Sequence, residues 1–117
     1  MSIQVYKKDL DKFLVDVTLT AACYGLVKEV AGISKYLMSV PRAKGPALLA
    51  NALANIVAKQ YNEADVFLNA ILASSTYSKF HEEAHGFKAL SYKLQGDEEH
   101  FADQLSLAPS FSNAFSI

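Results

Sequence analysis

The chain has 117 residues, 51% of them hydrophobic, with 11 Lys plus Arg against 12 Asp plus Glu. That length suits one domain around one core, taken here as residues 1–117. The balanced charge leaves no electrostatic footprint for nucleic acid, and a lone arginine, Arg42, cannot supply an array of bidentate phosphate clamps.

Cys23 stands alone, so no intrachain disulfide can form, and its apolar helical neighbourhood predicts a small buried thiol. The first residues are too polar for a signal peptide, and no stretch reaches the roughly 18 uninterrupted apolar residues that would span a bilayer. A cytoplasmic protein without membrane insertion is expected.

Almost everything from Asp9 to about Leu107 has helical spacing. Leu10, Phe13, Leu14, Val17 and Ala21 follow the three-four rhythm of one apolar face, and Leu26, Val30, Ile33 and Leu37 repeat it. Tyr24-Gly25 is the break between them, so two helices are predicted rather than one rod. Pro41 and Pro46 bound a definite stop: Pro41 disfavours helix at Val40, and Pro46 suits the first turn of a third helix.

That third helix carries Leu48, Leu49, Ala52, Leu53, Ile56 and Val57 on one face and Ala50, Ala54 and Ala58 on another, which predicts packing on two sides. A fourth helix follows the Gln60-Tyr61-Asn62-Glu63-Ala64 turn, with Ala64, Phe67, Leu68, Ile71 and Leu72 on one face. Ser78 is the expected cap of a fifth helix, whose core face is Phe80, Ala84, Phe87, Leu90 and Leu94. Gly96 suits a left-handed helix end, and Asp97 a cap for a sixth helix carrying Phe101, Ala102 and Leu105. The uncharged tail, about 107–117, holds Phe111, Phe115 and Ile117 and is expected to fold back on the helices or be ordered by a partner. The fold class is therefore all-α: about six antiparallel helices forming tetratricopeptide-like hairpins.

One literal catalytic motif is present. His81-Glu82-Glu83-Ala84-His85 fits the H-E-x-x-H pattern, in which two histidines four apart chelate zinc and the glutamate acts as general base. The extended pattern with Gly and a third His does not follow, and Glu99, His100 and Asp103 are third ligands by sequence alone. The competing reading puts His81, His85, Lys88 and Tyr92 in a polar stripe beside the core. There is no Gly-x-Ser-x-Gly elbow and no phosphate-binding glycine loop. No catalytic residue, metal or cofactor is assigned.

What remains is surface for protein recognition. The leading helices of the hairpins would line a groove through Asn51, Asn55, Ile56 and Lys59 on the third helix and His85, Lys88, Tyr92 and Lys93 on the fifth. Phe13 and Val17 on the first helix are assigned to a second protein contact.

The length, the Leu/Ala-rich third helix, the Gln60–Ala64 turn and the Leu94-Gln95-Gly96-Asp97 turn with its short amphipathic sequel resemble the small tetratricopeptide-like chaperones of needle subunits in bacterial type III secretion. The resemblance covers about Leu10 to Leu107. The proline-marked connector and the phenylalanine-rich tail depart from it. It implies a bacterial cytoplasmic chaperone held in a heterodimer with a small helical co-chaperone. The pair would sequester the C-terminal amphipathic helix of a needle subunit before it polymerises. Two other readings stay open: a zinc-dependent hydrolase through His81, Glu82 and His85, and a self-assembling structural helical protein.

Overall fold

The structure, a computed structural model, describes residues 3–111. Six α-helices follow in order: α1 (Ile3–Cys23), α2 (Val27–Leu37), α3 (Lys44–Val57), α4 (Tyr61–Leu72), α5 (His81–Gln95) and α6 (Glu98–Ser106). Short 3₁₀ turns at Pro41–Ala43, Ser75–Phe80 and Pro109–Phe111 join or finish them. The described residues contain no strand, and the fold is all-α.

The helices pair as α1/α2, α3/α4 and α5/α6, and the leading helix of each hairpin also packs on the next, α1 on α3 and α3 on α5. The resulting array is 51 Å long and 28 by 26 Å across.

The three hairpins are made the same way. Among the described residues, positive φ occurs at Gly25, Lys59 and Gly96 only, and each lies within two residues of the end of a leading helix. In each case its own N–H and the next one reach back to carbonyls of the last turn. Gly25 and Leu26 donate to Ala22 and Ala21, Lys59 and Gln60 to Ile56 and Asn55, and Gly96 and Asp97 to Lys93 and Tyr92. This is the Schellman helix end, formed three times. The first two lie 34 residues apart and the next two 37 apart, the extra length falling in the Ser75–Phe80 connection. A period near 34 residues marks helix–turn–helix repeats.

The core follows from the sequence at α3. Leu49, Ala52 and Ile56 face Ala64, Leu68 and Ile71 of α4 and Ala84 of α5, whereas Ala50 and Ala54 face Ala22 of α1 and Val30 of α2. The expected two-sided packing is therefore observed, with the alanines letting α1 and α2 approach closely. Burying each large aliphatic side chain here contributes about 1.5–3 kcal/mol.

Several expectations need correction, among them Val57, placed on the core face of α3 but exposed at its C-terminal end. In α1 the inward row is Asp11, Leu14, Thr18 and Ala22, and Leu10, Phe13 and Val17 turn outward. α1 is apolar over more of its circumference than α2 and α3 cover, and the smaller side chains fit the close approach. Cys23 is exposed at the end of α1 instead of buried. Ser78 does not cap α5, because the chain is still 3₁₀ there; Ser74 caps that turn through the Thr76 N–H. Leu94, expected on the core face of α5, is exposed near the helix end. Of the tail, Phe111 packs on Gly86 of α5, so closely that a Cβ at Gly86 would lie 2.8 Å from its ring. Phe115 and Ile117 fall outside the described residues.

Candidate functional site

The residues expected to form a groove are not brought together. Asn51, Asn55 and Ile56 are buried in α3. Asn51 Nδ2 donates to Ser34 Oγ of α2 at 2.7 Å and to the Ala47 carbonyl at 2.8 Å, and Asn55 Nδ2 donates to the Asn51 carbonyl at 2.8 Å. Both amides are satisfied within the core, which is how a buried polar group avoids its desolvation cost. None of the three lines an open groove, and Ile56→Asp would strike the core. Lys59 is exposed, but as the left-handed residue of the α3–α4 turn.

The α5 residues point in different directions. His85 Nδ1 donates to Gln104 Oε1 on α6 at 2.8 Å, and Lys88 lies 4.0 Å from Asp65 on α4. Tyr92 stacks on His100, centroids 5.1 Å apart, and Lys93 donates to Glu98 at 3.0 Å while its ammonium lies 4.9 Å from the centre of the Phe101 ring. Burial and the nearby Asp65 and Asp97 carboxylates hold the Tyr92 hydroxyl above its ordinary pKa. These groups stitch α5 to its neighbours.

The H-E-x-x-H residues are likewise spent on structure. His81 Nε2 donates to the carbonyls of Ile71 (2.9 Å) and Ser74 (3.0 Å), closing the end of α4. Glu82 accepts from the Ser110 N–H at 2.7 Å, which anchors the final 3₁₀ turn and lowers the carboxyl's pKa. Carrying a proton to two carbonyls, His81 Nε2 has no lone pair for zinc; in that tautomer the lone pair lies on Nδ1. The three side chains thus serve α4, the tail and α6 in turn. His100, a third ligand by sequence, donates to Asp97 at 2.7 Å; that bond raises the imidazole pKa. The Asp97 carboxylate also accepts the His100 N–H, and its pKa is lowered. Among the described residues no three His, Cys, Asp or Glu side chains are grouped to hold a metal ion.

Two surface features stand out instead. The first is an apolar strip on the outer side of α1, where Leu10, Phe13 and Val17 continue into Tyr24 and Leu26 of the α1–α2 turn. Phe13 is 61% and Tyr24 76% exposed. The strip borders a shallow trough of about 390 Å³ in which Asp16 is the sole charged side chain. Phe13 and Val17, assigned from sequence to a second protein contact, are its centre. Tyr24 and Leu26 were missed, because a turn read as a break hides its side chains' role.

The second is polar, and it is invisible to sequence spacing because its members lie 25 and 31 residues from Asp11. Asp11, only 2% exposed, accepts from the Tyr36 hydroxyl at 2.7 Å and from the Arg42 guanidinium at 3.2 Å. The bond to Asp11 raises the Tyr36 pKa, keeping the hydroxyl a donor. The cluster ties α1 to α2 and to the Pro41–Ala43 connector.

Compared with protein-family models, curated proteins and solved structures, the chain matches none. Among the described residues no helix is long and apolar enough to cross a membrane.

Proposed function

We propose that this protein is a non-catalytic, tetratricopeptide-like chaperone that works in a complex with a second helical protein. The observation that supports this reading is the exposed strip of Leu10, Phe13, Val17, Tyr24 and Leu26 beside an open apolar trough. Side chains at three- and four-residue spacing on one helix form the kind of face that another amphipathic helix covers. Isolated exposed apolar residues are ordinary; five contiguous ones mark an interaction surface.

On this reading the strip seats a small helical co-chaperone, and the pair sequesters the amphipathic helix of a self-assembling client. The resemblance to the type III needle chaperones supplies that client class, and with it a bacterial cytoplasmic setting. The groove first drawn across α3 and α5 is not part of the proposal, since its α3 half is core.

The test is co-expression of the full chain with candidate small helical proteins and needle subunits, followed by size-exclusion chromatography. The Phe13→Asp/Val17→Asp variant should keep its helical circular dichroism yet bind its partner at least about tenfold more weakly, the scale set by one or two central apolar contacts. Undiminished complex formation by this variant would overturn the reading. A strip that mediates only homo-oligomers would favour the self-assembling alternative.

A further inference from the structure

On the opposite side of α1, roughly half a turn around the helix from the apolar strip, the Asp11 cluster sits between two adjoining recesses of about 330 and 210 Å³. Lys8, Asp11 and Arg42 line both; Tyr36, Val40 and Pro41 wall the larger, and Lys12, Val15 and Pro46 the smaller. We propose that this recess is a binding site for a small organic oxyanion, a carboxylate or phosphate group carried on a short apolar stem.

Charge makes the first argument. Lys8, Lys12 and Arg42 contribute three positive charges and Asp11 one negative charge, so the lining carries a net +2. Asp11 is already committed: its Oδ1 takes the Tyr36 hydroxyl and its Oδ2 takes Arg42. Among the described residues neither Lys8 nor Lys12 forms an ion pair. Lys8 on both recesses and Lys12 on the smaller one thus line the cavity with no salt bridge among the described residues.

Geometry makes the second. Asp11 holds one terminal nitrogen of Arg42, and the side chain remains 53% exposed. The buried carboxylate therefore tethers the guanidinium at one nitrogen while leaving further N–H donors to the recess. A fork held in place this way binds an oxyanion with less loss of side-chain freedom than a free arginine would suffer. Size makes the third: about 330 Å³ is at the lower end of small-molecule pockets, and it is too narrow for a helix some 10 Å across. Val40, Pro41 and Val15 supply the apolar surface that a carbon stem would cover.

The experiment titrates citrate and, separately, inorganic phosphate into the full chain at low ionic strength, following backbone amides by ¹H–¹⁵N NMR. Saturable shifts confined to the Lys8–Lys12 turn and to Tyr36–Ala43 are expected below about 10 mM, where a millimolar site fills. Response to citrate alone assigns a carboxylate ligand, and response to phosphate alone a phosphate. The Lys8→Gln/Lys12→Gln variant leaves the Asp11 bonds in place and should weaken binding about tenfold, as should 0.5 M salt, because exposed charges are screened. Arg42→Gln should abolish binding, and its circular dichroism reports whether α1 stays docked. No saturable shift with either anion, shifts spread over other lysines, or unchanged affinity in the double lysine variant would each overturn the proposal.

Discussion

Lys59 shows how much a single backbone position matters. It holds φ of 64° in the same helix end where Gly25 and Gly96 hold 71° and 78°. For a residue with a Cβ that conformation costs about 1 kcal/mol, and glycine escapes the cost. Lys59 is exposed and makes no ion pair among the described residues, so nothing is lost with its side chain. Lys59→Gly should therefore raise stability by about 0.5–1 kcal/mol, visible as a higher midpoint in urea at unchanged slope. A lower midpoint would mean that the lysine does something the helix end does not reveal. Residue chemistry also explains the failed groove. Asn51 and Asn55 looked like surface because asparagine usually is. Their amides reach α2 and their own helix instead, and sequence spacing alone does not distinguish an amide aimed at solvent from one aimed at Ser34.

At the scale of elements, periodicity located all six helices, and the breaks at Tyr24-Gly25 and Gln95–Asp97 fell where backbone chemistry demands them, whereas the stop expected over Pro41–Pro46 ends at Ala43 and α3 already includes Lys44–Pro46. Which face turned inward was legible only where one face was plainly richer. In α3 and α4, Ile56, Leu68 and Ile71 are buried as expected. In α1 the apolar positions are distributed too widely, and close packing on α3 selected the row with Thr18 and Ala22. The H-E-x-x-H spacing placed two histidines on one helix, but each ring found a nearer hydrogen-bond partner than a shared metal. Among the described residues the last 3₁₀ turn meets α5 through Phe111 on Gly86 and Ser110 on Glu82. Gly86→Ala would drive a methyl group into the Phe111 ring. It should release the last 3₁₀ turn, with amides near 108–111 exchanging at least about tenfold faster, while α3 and α4 are unchanged. Unaltered exchange at those amides would mean that the ring simply shifts to make room.

At the scale of the whole molecule, α3 alone among the helices has α1 and α2 on one side and α4 and α5 on the other. The end hairpins have one neighbour each. The proposed oxyanion recess, between α1, α2 and the connector into α3, and the apolar strip lie on opposite sides of α1, so a partner and a small ligand would not compete for one surface. The three Schellman ends give the array a mechanical consequence. Because each hairpin is closed by its own turn and packs only on its sequence neighbours, α1 and α2 on α3 and α3 and α4 on α5, the chain should yield like a short spring, coil by coil, instead of shattering at once. Pulled from both termini in an optical trap, it should extend in steps of one hairpin, with α3 and α4 letting go last. A single all-or-none rip would show that the coupling across α3 outweighs the independence its three matching turns confer.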